Sequence, residues 1–487
     1  MTEPQPSAGR RTAVKRNRID LLTFLVVALP VIVVLCVAAI GGEDDPSSTS
    51  RPPGSADLSA ASVACPAPAR PGGQPVLAPR LEGPDSPGGP GGTGGGAVDV
   101  EATAAIKKVA GTSRLADAAK ASVEAGRSVK VGNESGAVLL QANGSAAPGL
   151  IAGRGEPLAV PDCRRPSYDE WLVGLGASAR HATSIELINP DGGDAVVDLE
   201  LYNQRGEVTA PALRGITVPG HSVRRIDLAQ VVPQRAALAA HFTVSRGRVV
   251  AAARSTWDPL GNGRVSTDFL PADAEPDTGG LILGIPAGAD DVQLAVANPG
   301  ADEVRVTPQL VTPQSVFTPT DSRDVAVPPH SLRMIPLKAL LSSDAAKGAL
   351  GIRVRATGPV AASVRMLVKG DLALLAPAVE LTEQTAAVLP AGPKELLLSA
   401  SAKAGTVQVR AFDAAGKKVG EKGVEVAEGG AARLKLPPKA VSIVLTPRDL
   451  SVRGVVMIPA AGRQPGLATL RIRPVEMRAR VPSVTPR

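Results

Sequence analysis

Residues 218–228 read VPGHSVRRIDL and residues 327–337 read VPPHSLRMIPL, so one Val-Pro-x-His-Ser-x-Arg-x-Ile-x-Leu pattern occurs twice. The copies lie 109 residues apart, and an Asn-Pro pair at Asn189 and again at Asn298 keeps the same offset. A constant offset over two separate blocks indicates an internal repeat. The repeat sets the unit of the fold at about 90 to 109 residues.

Short apolar segments separated by turn residues fill each unit. Val304 and Val306, and later Val407 and Val409, alternate with polar residues, and a divergent third copy is visible at residues 396–458. About seven short strands in about 100 residues is the size of an immunoglobulin-like domain. The predicted fold class is all-β, with tandem immunoglobulin-like antiparallel β-sandwich domains behind a single N-terminal transmembrane helix.

An uncharged apolar run covers Leu21 to Ile40, which is long enough for one helix to cross a bilayer. Five basic residues precede it and an acidic cluster at residues 43–45 follows it, so the positive-inside rule places the N-terminus in the cytoplasm. The alternative, a cleaved signal peptide, usually has a shorter apolar core of about 7 to 15 residues. We expect a single-pass cell membrane protein whose bulk is extracytoplasmic, with the membrane itself as a partner through this run.

The net charge of +7 is concentrated at the two ends of the 487-residue chain. Residues 1–20 carry +3 and residues 463–487 carry +5, which leaves a nearly neutral body. Phe, Trp and Tyr make up 2% of the sequence. A neutral body with few aromatic residues offers neither a phosphate-binding stripe nor a stacking platform, so nucleic acid is excluded as a partner.

The composition also divides the chain. Pro, Gly and Ser dominate residues 41–96, which predicts a disordered linker. The predicted organisation is a cytoplasmic stub (1–20), a transmembrane helix (21–40), the linker (41–96), a small mixed or β module (97–165), β-sandwich repeats at 166–272, 279–370 and 371–462, and a basic tail (463–487).

Two cysteines, Cys65 and Cys163, lie beyond the apolar run. In an oxidising compartment they have one possible intramolecular pairing, and we predict this disulfide. It would close a loop of about 97 residues and stabilise the fold by roughly 4 kcal/mol in the chain-entropy model. Unpaired or intermolecular thiols are the alternative.

A lone cysteine precedes a Pro-x-x-x-Glu-Trp-Leu-x-Gly stretch that begins at Pro166 and includes Glu170 and Trp171. Together with the Leu-x-Asn-Pro and Val-Pro-x-His-Ser-x-Arg motifs behind one membrane segment, it resembles an actinobacterial family of membrane-anchored envelope proteins known only as a domain of unknown function. The resemblance covers about residues 60 to 460. It implies an exported, tethered protein and supplies no substrate.

The repeated His-Ser pairs, His221-Ser222 and His330-Ser331, are the first candidates for chemistry. Adjacent residues of an extended segment point to opposite faces, so the two side chains of a pair cannot readily share a proton. A proline before each pair fixes the backbone, and a serine can hydrogen-bond it locally. We therefore predict a structural turn role. No nucleophile elbow, P-loop, dinucleotide fingerprint or His-Glu-x-x-His motif occurs.

Metal binding has little support in the sequence. His181 and His241 lack neighbouring Cys, Asp or Glu at metal-ligand spacing, so no metal site is predicted. Four loop acids could hold calcium between domains, although solvated turn acids are more usual: Asp191, Asp194, Asp290 and Asp291.

Two polar and aromatic segments are the candidate ligand contacts. They supply Tyr168, Glu170 and Trp171 from one segment and Trp257 with Asp258 from the other. Aromatic faces beside carboxylates suit sugar rings, whereas the alternative places both tryptophans in the first sandwich core. Neighbouring carboxylates do not make the facing pair that glycoside hydrolysis needs.

The predicted function is a non-enzymatic, membrane-anchored extracytoplasmic module of the cell envelope with a structural or protein-interaction role. A cell-wall polysaccharide-binding module is the alternative, and an envelope hydrolase is the third choice. The expected partners are envelope proteins or wall glycan, with no cofactor. Exposure of Trp171 or Trp257 would distinguish the first two functions.

Overall fold

The computed structural model describes residues 54–69, 76–78, 98–109, 112–115, 119–123, 128–131, 136–155, 158–273, 275–320, 322–400, 402–460 and 465–481. By compactness the chain divides into residues 57–479 and a second unit of residues 1–56 and 480–487. The predicted helix at Leu21 to Ile40 lies outside the described residues. None of the helices in the described part of the chain has the length and apolar character that a bilayer crossing requires.

The N-terminal module consists of strands and one 3-10 turn at Gly144–Ala146. Within it β2, β8, β4 and β5 pair in that order, β6 also pairs with β4, and β3 lies between β7 and β9. Leu58, Val63, Val138 and Leu140 belong to its apolar core. β1 (Gly54–Asp57) precedes the module in sequence. The strands of the module are β2 (Ala60–Cys65), β3 (Val76–Ala78), β4 (Val98–Val109), β5 (Thr112–Leu115), β6 (Ala119–Val123), β7 (Val129–Val131), β8 (Val138–Asn143) and β9 (Gly153–Arg154).

The first strand group has two halves around one core. β16 lies between β10 and β12, and β11 lies between β15 and β17. Leu172, Leu187 and Phe242 are buried in the core between the halves. A 3-10 turn spans Pro211–Leu213, and α1 spans Leu228–Val231. The strands are β10 (Asp169–Ala177), β11 (His181–Asn189), β12 (Ala195–Asn203), β13 (Gly206–Val208), β14 (Ile216–Val218), β15 (Ser222–Asp227), β16 (Arg235–Arg246), β17 (Val250–Trp257) and β18 (Ser266–Leu270).

The second strand group repeats this scheme. β25 lies between β19 and β21, and β20 lies between β24 and β26. α2 (Lys338–Leu341) and a 3-10 turn (Asp344–Ala346) follow β24. The strands are β19 (Leu281–Leu283), β20 (Asp290–Asn298), β21 (Val304–Val311), β22 (Val316–Phe317), β23 (Val325–Val327), β24 (Ser331–Pro336), β25 (Gly351–Ala356), β26 (Ala361–Val368) and β27 (Asp371–Leu375).

The third strand group follows the same scheme despite its divergent sequence. β34 lies between β29 and β31, and β30 lies between β33 and β35. The strands are β28 (Glu380–Leu381), β29 (Thr385–Val388), β30 (Lys394–Ala400), β31 (Gly405–Phe412), β32 (Lys418–Val426), β33 (Ala431–Leu436), β34 (Ser442–Arg448), β35 (Val452–Pro459) and β36 (Leu467–Arg471). β37 (Arg478–Val481) follows the group in sequence and pairs with β1 in a separate two-stranded sheet. The prediction of an all-β fold built from antiparallel sheets is therefore confirmed.

Two segments differ from their sequence interpretation. Part of the predicted disordered linker is ordered, because Ala61, Val63 and Cys65 alternate along β2 and are buried in the module core. The predicted basic tail supplies β36, which pairs with β35 and carries the buried Arg471. In both places a short strand lies among Pro, Gly and Arg residues, whose composition is typical of a linker or a tail.

Side chains join the first strand group to the second. Ser266 Oγ accepts a hydrogen bond from Leu372 N at 2.9 Å, and Asp268 Oδ2 accepts one from Leu374 N at 2.8 Å. The side chains of β18 thus replace the backbone carbonyls that a neighbouring strand would offer to β27. Leu372 and Leu374 belong to the core of the first group, which continues across this junction.

The pKa of Asp268 predicts an unusual pH dependence. Burial raises the pKa of this carboxyl well above its ordinary value, and the charge of the nearby Asp371 adds to the shift. The folded state therefore binds more protons than the unfolded state above about pH 4, so this group's contribution to stability is lost as pH rises. For one proton the slope reaches about 1.4 kcal/mol per pH unit.

We expect Asp268→Asn to remove this slope, so that the unfolding free energy of the wild type falls relative to that of the variant as the pH rises above about 4. Urea titrations at several pH values measure it. Asp344→Asn is the matched control, because the Asp344 side chain is 92% exposed. A constant difference between Asp268→Asn and wild type at all pH values would contradict the assignment.

Candidate functional site

Residues 162–171, hereafter the junction segment, connect the N-terminal module to the first strand group. Cys163 forms the disulfide with Cys65, which confirms that prediction. Next to it, Ala64 and Arg164 exchange two backbone hydrogen bonds of 2.8 and 3.0 Å. At the other end Trp171 exchanges two with Asp273. The motif that begins at Pro166 therefore holds several parts of the fold together.

A buried ion pair lies inside the junction segment. The two terminal nitrogens of the Arg164 guanidinium donate to the Glu170 carboxylate, and Nη2 also donates to the carbonyl of Ala251 in β17. The two side chains are 5% and 4% exposed. A two-point contact between guanidinium and carboxylate compensates for the desolvation that burial imposes on each charge. Glu170 is thus committed to Arg164 and is closed to a ligand.

A second charged group joins the junction segment to the end of β36 and the residues just after it. Arg473 Nε donates to Asp162 Oδ2 at 2.9 Å, and Arg471 donates to the carbonyls of Pro377 and Ala272. Burial alone would raise the pKa of Asp162, but the charges of Arg473 and Arg471 outweigh it and hold the pKa below its usual value. Burial, together with Arg473, lowers the pKa of Arg471 to about 10.

A cleft of about 220 Å³ opens beside these arginines. Its charged lining includes Arg453, Glu275, Asp277 and Glu380. The described residues that line it include no Ser, Thr, Cys, Lys or His, so carboxylates are the groups there with nucleophilic or general-base character.

The Trp171 ring lies against the second strand group. It is 3% exposed, stacks on the His241 ring at a centroid distance of 4.5 Å and lies 5.5 Å from the Tyr202 ring. Ala297 and Leu332 of the second group belong to the same apolar cluster. The face of Trp171 is therefore covered and is unavailable to a sugar ring.

A polar patch borders this stack on the open part of the sheet. His241 Nε2 lies 2.7 Å from Asp169 Oδ1, and Glu200 accepts hydrogen bonds from the Tyr202 hydroxyl at 3.0 Å and from Arg214 at 2.7 Å. The hydrogen bond from Arg214 lowers the pKa of Glu200. Sequence reasoning missed His241 and Glu200 as members of this patch, because they adjoin Trp171 only through strand pairing.

The other candidates divide by exposure. Tyr168 is 63% exposed, whereas Trp257 is partly buried with the Arg365 guanidinium 5.0 Å from its ring centroid. Asp258 Oδ1 accepts a hydrogen bond from Leu260 N in its own turn. Beside Trp257, burial lowers the pKa of His181 to about 4, and the charge of Arg365 adds to the shift. Tyr168 is the one predicted aromatic contact that stands open.

The repeated motif forms the same hydrogen-bond network twice. Asn298 Nδ2 donates to Asp302 O, Val327 O and Pro328 O at 2.7, 3.0 and 3.2 Å, and its Oδ1 accepts from Gly300 N. In the other repeat, Asn189 Nδ2 contacts the carbonyls of Gly193, Val218 and Pro219.

Each serine of the motif closes its turn. Ser222 and Ser331 each donate to a proline carbonyl three residues earlier at 2.7 Å. His221 and His330 take positive φ values of 45° and 47°. These bonds confirm the predicted turn role of the His-Ser pairs.

Two of the four loop acids considered for calcium, Asp191 and Asp291, pair with arginines. Asp191 receives two hydrogen bonds of 2.9 Å from Arg248, and Asp291 lies 3.3 Å from Arg365. Among the described residues, no group of three or more His, Cys, Asp or Glu side chains is arranged to hold a metal ion.

Comparison with known proteins supplies a family but no activity. No curated protein matches the chain. A family described as a family of unknown function, DUF5719, matches residues 115–437, which is more than half of the sequence. The match includes the whole junction segment, both copies of the repeated motif and the third strand group as far as β33. The chain therefore belongs to the family of unknown function DUF5719.

Proposed function

We propose that this protein is a non-enzymatic structural or protein-interaction module of the cell envelope, anchored by the apolar run at Leu21 to Ile40 with its bulk outside the cytoplasm. In this proposal the strand groups act as tandem immunoglobulin-like sandwiches. The proposal rests on the sequence for its location and on the packing of residues 57–479 for its role.

The observation that carries the role is the continuity of the cores. The core of the second strand group includes Leu397, Val455 and Met457 of the third, and the core of the first includes Leu372 and Leu374 of the second. Inter-domain interfaces that permit motion are usually smaller and more polar. Shared cores favour a stiff spacer that presents surfaces at a fixed distance and orientation.

Wall-glycan binding is the alternative, and the geometry gives it little support. Trp171 and Glu170 are buried, and Trp257 lies beside Arg365. Of the predicted aromatic contacts, Tyr168 is the one that is exposed, and Asp169 follows it in sequence. A glycan module would have to bind mainly through this one ring.

A pull-down from detergent-solubilised envelope tests the proposal, with the full chain as bait and with bound proteins and glycans both identified. We expect specific envelope proteins to be captured equally by wild type and by Tyr168→Ala. Capture of wall glycan that falls at least about tenfold in Tyr168→Ala would instead support the glycan module. Trp257→Ala serves as the second variant in the same comparison.

A further inference from the structure

We propose that the outer edge of β33 is a docking site where an extended, acidic segment of a partner protein adds to the sheet as a further strand. This inference deepens the proposed function, on which it rests, by naming the surface and the chemistry of the partner. Addition of a peptide strand to an exposed sheet edge is a general mode of recognition.

The chain itself shows this kind of pairing at the equivalent edge of the first strand group. β15 pairs with β11 on one side and with β5 on the other, with Ser222 opposite Arg114 and Arg224 opposite Thr112. Leu115 N extends this ladder by donating to His221 O at 2.9 Å. β33 holds the position of β15 in the third group, yet among the described strands it pairs with β30 alone.

The hydrogen-bonding groups of this edge point outward. Ala431 N donates to Thr312 O at 3.0 Å, outside its own sheet. Because backbone groups alternate in direction along a strand, those of Arg433 and Lys435 point outward as well. Thr312 is followed by Pro313, which has no N–H to continue the ladder. The remaining edge has no backbone partner among the described residues.

A groove of about 870 Å³ runs beside the edge, between β33 and β32. Most of its lining is small or apolar: Pro313, Gly348, Leu350, Ala404, Gly405, Val426, Ala427, Ala431 and Ala432. Thr406, Glu425 and Arg433 complete it. An added strand would alternate its side chains between the two faces of the sheet. The residues that meet the apolar part of the groove would therefore be small and apolar.

Charge selects the remaining residues of the segment. Arg433 and Lys435 are exposed on the edge, Arg433 also lines the groove, and its guanidinium lies 3.6 Å from Glu395. A second copy pairing through β33 would bring these basic side chains together, which is unfavourable. A partner strand with Glu or Asp at alternate positions would pair with them. The edge thus favours a segment of alternating small apolar and acidic residues.

Fluorescence anisotropy tests the site with the full chain and a labelled peptide of alternating valine and glutamate. We expect binding that weakens at least about tenfold in Arg433→Glu with Lys435→Glu. Lys435→Pro removes an outward N–H without breaking a bond to β30, and we expect a similar loss. The same peptide with lysine in place of glutamate should not bind measurably.

Lys417→Glu with Lys439→Glu is the matched control, since both side chains are exposed and lie outside β33. The proposal is overturned if the acidic peptide does not bind, or if both pairs of substitutions weaken it equally. In the envelope pull-down, an identical set of captured proteins for wild type and Lys435→Pro would overturn the edge site while leaving the proposed function. Peptide binding without capture of any envelope protein would support the edge site and overturn the proposed function.

Discussion

Asn298→Ala is expected to lower the free energy of unfolding by about 3 kcal/mol. The side chain is 1% exposed, and its two amide hydrogens are shared among three backbone carbonyls while its oxygen accepts from Gly300 N. Alanine leaves all four backbone groups without this partner, and a buried polar group without a partner is costly. Urea unfolding measures the total loss, and hydrogen exchange at β23 and β24 locates it.

The chain supplies its own controls for this prediction. Asn189→Ala removes the equivalent network from the first strand group, so a similar loss is expected. Asn203 is more exposed and its Oδ1 accepts from Arg205 N, so Asn203→Ala should cost less than about 1 kcal/mol. If Asn298→Ala and Asn203→Ala lowered the free energy of unfolding equally, the buried network would add no more stability than a single exposed turn bond.

Removal of the Cys65–Cys163 disulfide is expected to have the larger effect. The cysteines are 98 residues apart in sequence. For a loop of that length the chain-entropy model gives about 4 to 5 kcal/mol. The loss should be greatest in the N-terminal module, because Cys65 is a member of its core. In the double variant Cys65→Ala, Cys163→Ala, we expect rapid hydrogen exchange and proteolysis in β2 and β8.

A comparison with reduced wild type separates loop closure from packing. Reduction keeps both sulfur atoms in place, whereas the double alanine variant also loses their contacts. Similar losses would support the loop-closure account, and the first two members of the third strand group, β28 and β29, should retain slow exchange in both. Unchanged protection in the N-terminal module after reduction would refute the prediction.

Local patterns in the sequence were enough to predict the β architecture. The alternation of Val304 and Val306 and the fixed spacing of Asn298 from Ser331 are set by strands and turns that are close in sequence. The cysteine pairing was predictable because Cys65 and Cys163 had no other partner beyond the apolar run. These features depend on few residues and on regular backbone geometry.

The environment of the candidate site was not predictable in the same way. Trp171 and Glu170 resembled ligand contacts, but the His241 ring stacks on one and Arg164 pairs with the other. Arg473 resembled part of a basic tail, although its partner Asp162 is 311 residues away. Pairings at such distances depend on how sheets pack, and a single sequence carries no local pattern for them.

That pairing also constrains the order in which the molecule can be completed. The chain is made from its N-terminus, so Asp162 and its neighbours exist long before Arg471 and Arg473. Until β36 is added, the carboxylate of Asp162 lacks the guanidinium groups that offset its burial. The junction segment therefore reaches its final stability only after β36 and the residues that follow it have been made. A chain truncated before β36 would be less stable at the junction segment.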